Sequence, residues 1–260
     1  MNIKILDSWL RDYLKTDAKP SEIAHALSLS SVGIERVEKW KQDFLYDIEI
    51  TTNRPDLASV VGIAREASAV LPEFGYKATF IPPLVDRHPG VAATTIGSHT
   101  KGTSPKSQHD KQKVTLEIIN DPKLVNRICA VVLEVTQKKS PAELSNRLEA
   151  TDIRSLNTIV DVTNYVMRTI GFPTHVFDYD RLNTKTLRIR ESKPGETVTT
   201  LDGKEHELPG GDIIAVDDSG SIVDLLGIMG LENSVITDDT HRIVLFINSD
   251  NPHRIRKTSM

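Results

Sequence analysis

Between Leu156 and Ile170 apolar residues recur at spacings near three and four, through Ile159, Val160, Val162, Val166 and Met167. That period predicts one helix with a wide apolar face, of the kind that is buried. Ser155 or Asn157 can cap its start, because a short side-chain oxygen satisfies an orphan backbone N–H there. Gly171 suits the position just past its end, and Pro173 prevents continuation. Arg154 stands at the entrance of this helix and His175 just beyond its exit. Spacing alone leaves two readings open. Arg154 is a solvated charge and His175 the partner of a nearby carboxylate, or the two polar residues mark the edges of a site.

Before this helix the pattern changes twice. Residues 1–78 alternate short helical and extended stretches: Trp9, Leu10, Tyr13 and Leu14 share one helical face, and Ile23, Ala24 and Leu27 another. Asp56, after the Asn53-Arg54-Pro55 turn, can cap a helix carrying Val60, Ile63, Ala64, Ala67 and Val70. Over 79–112 no apolar period survives among the prolines, glycines and lysines, which reads as a linker. His88, His99 and His109 in that stretch lack metal-ligand spacing. From 113 to 260 strands predominate. Arg127–Val135 is apolar almost throughout, as in a sheet covered on both faces, and Asp202-Gly203 is a hairpin turn. Ser140-Pro141-Ala142-Glu143 has the form of a capping box. The expected architecture is α+β: a small helix-and-strand module, a linker, and a mixed-sheet domain.

Composition narrows the function classes. No apolar run approaches the roughly 20 residues that span a bilayer. The single cysteine, Cys129, excludes an internal disulfide framework, fits a reducing cytoplasm, and reads as a buried strand residue. A net charge of −4 argues against broad binding to nucleic-acid phosphates, so any RNA contact should be local; Arg254, Arg256 and Lys257 form the densest positive cluster.

Three stretches carry a family resemblance. The run I-R-S-L-N-T-I-V-D-V-T-N-Y-V followed by G-F-P-T-H-V-F-D, the run I-E-I-T-T-N-R-P-D-L-A-S-V-V-G-I-A-R-E at 48–66, and R-I-R-K-T-S at 254–259 occur in that family's order. Together they resemble the beta chain of bacterial phenylalanyl-tRNA synthetase, in its N-terminal packing module (1–78) and its editing domain (113–260). The family's oligonucleotide-binding barrel has no room here, since only K-Q-D-F-L-Y-D separates the flanking strands. The resemblance implies a cytoplasmic protein with an alpha-chain partner, an alpha2beta2 assembly and contact with the acceptor end of tRNA(Phe). It places ATP and magnesium with the assembled enzyme, and no cofactor or metal in this segment.

An editing site is a second chance at discrimination. A pocket shaped for phenylalanine rejects tyrosine weakly, by about a hundredfold in comparable cases. The resemblance therefore implies hydrolysis of mischarged tyrosyl-tRNA. Glu232, in G-I-M-G-L-E-N-S, matches the glutamate that recognises the tyrosine hydroxyl; read alone, it is a surface turn residue. Arg154 and His175 match residues near the tRNA end, where they hydrogen-bond ribose or ester and stabilise developing charge. Gly227 and Gly230 allow close backbone approach, or serve turn geometry alone. The chain departs from the family on its last strand, where Phe246 stands in place of an acidic residue and Asn248 in place of a small pocket-wall alanine. A free-standing deacylase, and an interaction module whose pocket has decayed, are the alternatives.

Overall fold

The computed structural model describes residues 2–83, 116–182 and 184–260. Most of the 79–112 linker, with His88, His99 and His109, lies outside these residues. The chain divides into two compact units, Met1–Asp86 with Lys138–Pro173, and Arg87–Gln137 with Thr174–Met260. This division does not follow the linear one read from the sequence: the helical segment 138–173 joins the N-terminal module.

The first unit contains β1 (Asn2–Leu6), α1 (Asp7–Arg11), β2 (Leu14–Thr16), α2 (Pro20–Ser30), β3 (Gly33–Trp40), β4 (Asp43–Glu49), α3 (Val60–Val70), β5 (Ala78–Phe80), α4 (Ala142–Ala150) and α5 (Thr158–Ile170). An antiparallel sheet of order β1-β4-β3 and the separate pair β2-β5 carry the helices. The inward residues expected from periodicity, among them Trp9, Leu10, Ile23, Leu27, Ile63 and Ala67, form the core. Ser59, not Asp56, caps α3 by accepting from the Gly62 amide at 3.0 Å. Asp56 instead pairs with Arg54, whose guanidinium also reaches Glu66 on α3 at 2.9 Å, so the turn is tied to the helix it precedes.

Helix α5 forms where its caps predict. Asn157 accepts from the Val160 amide and Gly171 closes the end. The expectation of a buried helix is corrected. Only Asp161 and Thr169 are buried along it, while Val162 and Ile170 remain 46% and 48% exposed. Its neighbours α3 and α4 cover a narrower strip than the apolar residues occupy. Asp161 holds the approach to the helix: its carboxylate accepts from Ser140 Oγ and Ser155 Oγ at 2.5 Å and from the Leu156 amide at 2.8 Å. Ser140 is thereby engaged with Asp161, and α4 has no side-chain cap, contrary to the capping-box reading.

The second unit contains β6 (Glu117–Ile119), β7 (Val125–Glu134), β8 (His175–Asp178), α6 (Tyr179–Leu182), β9 (Thr186–Glu191), β10 (Glu196–Thr199), β11 (Glu205–Leu208), β12 (Ile213–Val216), β13 (Ile222–Leu225), β14 (Met229–Gly230), β15 (Arg242–Asp250) and α7 (Pro252–Thr258). Its sheets have the orders β14-β13-β12-β9-β6 and β7-β15-β8, beside the β10-β11 hairpin. The first is mixed, with β6 parallel to β9, so the α+β expectation holds. Strand β7 is not covered on both faces: Cys129, Val131 and Leu133 are exposed, which also corrects the reading of Cys129 as buried. An antiparallel sheet needs only one packed face, and residue type along β7 does not alternate to reveal which.

Candidate functional site

Pro173 ends the helical segment and the chain enters β8 at His175. This residue lies opposite Phe246 in the antiparallel pairing of β8 with β15. Its ring leans on Phe177 at 4.5 Å, and Phe177 meets Phe246 edge-on at 5.5 Å. The three rings fix the imidazole against the sheet. On its other side sits Gly230. A Cβ there would fall 2.4 Å from His175 Cε1, so the imidazole lies on bare backbone and only glycine permits that approach. The His175 ring makes no hydrogen bond among the described residues, and the loss of water around it pushes its pKa down to about 4. It is a neutral imidazole at neutral pH, not the partner of a carboxylate.

Gly227 makes the second close approach. A Cβ on it would lie 2.8 Å from Asp250 Oδ2 and 2.7 Å from Ile255 Cδ1 of α7. Asn248 donates from Nδ2 to both carboxylate oxygens of Asp250, at 2.7 Å each. Directly opposite Gly230 in the ladder stands Asp224 of β13. The residue is 5% exposed, and burial together with the nearby Asp250 charge pushes its carboxyl up to about 8. Burial raises Asp250 as well, while Asn248 opposes the shift. The loop 226–230 thus lies over a floor of one neutral imidazole, one amide and two carboxyls.

Of the residues singled out from sequence, the structure brings together His175, Gly227, Gly230 and Asn248. Glu232 follows Gly230 by two residues, at the start of a 3-10 turn, exposed and with no hydrogen bond or ion pair among the described residues. Arg154 belongs to the first unit, where it too is exposed. Phe246 is fully buried in the second unit's core, so its bulk serves packing. Asp224 and Asp250 were missed by sequence reasoning. The available signal was a carboxylate inside the apolar run I-V-D-L-L at 222–226. Two surface clefts, of about 390 Å³ beside Tyr179 and Arg242 and about 610 Å³ beside Trp40 and Arg147, include none of the candidates.

A model of the B3/4 domain matches residues 125–260, more than half of the chain. The chain belongs to the B3/4 domain family. Relatives include the phenylalanine–tRNA ligase beta subunit of Geobacter sulfurreducens, 39% identical over 219 residues, which are 84% of this chain and 24% of that one. The beta subunit of Thermotoga maritima is 37% identical over 230 residues, 88% of this chain and 26% of its own. The B3/4 chain therefore spans about a quarter of the length of these relatives. A solved N-terminal fragment of the phenylalanyl-tRNA synthetase beta subunit from Pyrococcus horikoshii aligns with a TM-score of 0.44 and 14% identity, over 98% of this chain and 70% of its own; that likeness is too distant to argue from. No helix among the described residues is long and apolar enough to cross a membrane.

Proposed function

We propose that this chain serves as part of a phenylalanine–tRNA ligase beta subunit, and that its B3/4 portion hydrolyses tyrosine wrongly esterified to tRNA(Phe). The partners in this reading are the alpha subunit, in an alpha2beta2 assembly, and the acceptor end of tRNA(Phe). Aminoacylation, with its ATP and magnesium, belongs to the assembled ligase.

The carrying observation is the gathering of His175, Gly227, Gly230 and Asn248 around one glycine-flanked loop within the stretch that matches the B3/4 model. Ester hydrolysis needs donors placed where charge develops and a water held in line. An unbonded, neutral imidazole beside bare backbone suits such positioning. Glu232, exposed and unpaired among the described residues, is free to accept the phenolic hydrogen of tyrosine, a bond phenylalanine cannot offer. Arg154, exposed on the first unit, supplies a charge for the tRNA.

Single-turnover release of labelled tyrosine or phenylalanine from preformed tRNA(Phe) esters tests this reading. The chain is expected to favour the tyrosyl ester. Glu232→Ala should lower that preference at least roughly tenfold, since a charged hydrogen bond is lost. His175→Ala should slow both esters alike. Background release from wild type and Glu232→Ala would leave a second reading, that of a non-enzymatic interaction module. The full burial of Phe246 beneath His175, on the strand where the family resemblance places a pocket wall, favours that alternative.

A further inference from the structure

We propose that the cleft between the β3–β4 turn and α4 is a binding site for a nucleobase, held by stacking on Trp40 and by hydrogen bonds to Gln42 and Asn146. The site belongs to the first unit and does not rest on the hydrolytic reading. Its volume of about 610 Å³ falls within the range of about 300–1,000 Å³ usual for small-molecule sites. Trp40 and Asp43 pair at the end of the hairpin, which leaves Lys41-Gln42 as a two-residue turn. Such turns call for a positive φ, which glycine or asparagine adopts most readily. Here Lys41 adopts it, with φ at 53°. Its ammonium donates to Asn146 Oδ1 of α4 at 2.8 Å, so the turn is tied to the helix beside it. A non-glycine residue kept in this region costs energy, and such residues cluster at ligand sites.

What lines the cleft selects the ligand. Trp40 packs against the core yet stays partly exposed and lines the cleft, beside the buried Leu6. An indole is a plate on which any planar base can stack. Around it, the Gln42 amide, the Ser8 hydroxyl and the Asn146 amide nitrogen make no hydrogen bond among the described residues, and all three residues are exposed. Their donors and acceptors match the edge of a nucleobase, which carries both kinds of group. The charged groups are already engaged. Asp43 accepts from the Ser8 and Phe44 amides, at 3.2 and 2.7 Å. Arg147 pairs with Glu143 at 3.2 Å and with Asp12 at 2.7 Å, and lies over the Trp9 ring. With two cations and two carboxylates in the lining, the cleft carries no excess of either sign. A free amino acid would bring two charges to partners that are taken, and a phenyl side chain would leave the amides unanswered. A neutral, flat group with hydrogen-bonding edges meets both conditions.

The base can come from a free nucleoside or from an unpaired position of an RNA strand. The two share the recognition just described and differ in what flanks the base. In the lining, Lys41 is the cation without a carboxylate partner among the described residues, so a strand has one charge for one phosphate to meet. Binding of a strand should then depend weakly on salt, with log K falling by no more than about 0.7 per decade. The net charge of −4 agrees with a contact that reads a base and not a run of phosphates.

The test titrates the purified chain with adenosine and with a short single-stranded oligoadenylate. Trp9 is fully buried, so quenching of tryptophan fluorescence reports Trp40, the other tryptophan of the chain. Both probes should quench it. Equal affinity for the two supports the site as one for a free nucleoside, and tighter binding of the oligoadenylate with the same quench supports it as one for a strand. Calorimetry then gives the affinities of variants whose fold is checked by circular dichroism. Trp40→Ala should weaken binding at least about tenfold, since the stacking plate is lost, whereas Trp40→Phe should stay within about threefold of wild type. Gln42→Ala and Asn146→Ala, both at exposed positions, should each weaken it about fivefold. No quenching by either probe at millimolar concentration would overturn the site. Equal affinities of wild type, Trp40→Ala and Gln42→Ala would overturn it as well. So would a salt dependence of oligoadenylate binding steeper than about 1.4 per decade, which means two phosphates or more. Binding of N-acetyl-tyrosine amide as tight as that of adenosine would overturn the base and point to an aromatic side chain of a protein.

Discussion

Replacing Asp161 should open the first unit from the segment that enters α5. The carboxylate is fully buried and accepts three hydrogen bonds, from Ser140, Ser155 and the Leu156 amide. Hydrogen bonds to a charged group contribute about 1.5–3 kcal/mol each, and the sum is smaller because the donors share one acceptor. Asp161→Ala removes the acceptor and leaves a backbone N–H and two hydroxyls to find other partners. The expected cost is about 4 kcal/mol, a large part of a domain's typical margin of about 5–15 kcal/mol. Asp161→Asn keeps one oxygen for Leu156 but turns an amide toward the serines, and should cost about half as much. Both tryptophans, Trp9 and Trp40, lie in this unit, and Trp9 stacks on Tyr165 of α5 at 4.7 Å. Urea unfolding followed by tryptophan fluorescence therefore reports the affected unit. Ser140→Ala should cost about 1–2 kcal/mol in wild type and much less in the Asp161→Ala background. A cost below about 1 kcal/mol for Asp161→Ala, or an equal effect of Ser140→Ala in both backgrounds, would refute the clamp.

Two other outcomes follow from the second unit. His175 should titrate near pH 4 by NMR, and because the folded group binds fewer protons than the unfolded one, stability should fall as pH drops from about 6.5 toward 4, by at most roughly 1.4 kcal/mol per pH unit; a midpoint near 6.5 would mean the imidazole is solvated. Thr258→Val should destabilise this unit by about 1–3 kcal/mol in denaturant melts, because Thr258 Oγ1 donates to the buried Asp212 at 2.9 Å and ties α7 to the sheet, whereas a loss under about 0.5 kcal/mol would show that Ser192 alone satisfies that carboxylate.

Local features were legible because they depend on neighbours in the chain. The caps of α5, the inward faces of α2 and α3, the Asp202-Gly203 turn and the mixed α+β character all rest on short-range geometry and apolar period. The spacing around α5 also drew attention to Arg154 and His175, and the family resemblance to Gly227 and Gly230. Both left open what each of them touches. Only the tertiary structure decided that the apolar stripe of α5 exceeds what α3 and α4 cover, and that Cys129 and Val131 face outward. Only the structure joined Ser140 to Asp161, turning an apparent helix cap into part of a clamp. The placing of Asp224 and Asp250 below one loop was illegible for the same reason. The two carboxyls are brought together by strands whose register no local pattern specifies, and a one-residue slip would send each to the opposite face. Burial then sets their protonation, and burial is a property of the packed sheet and not of the residue.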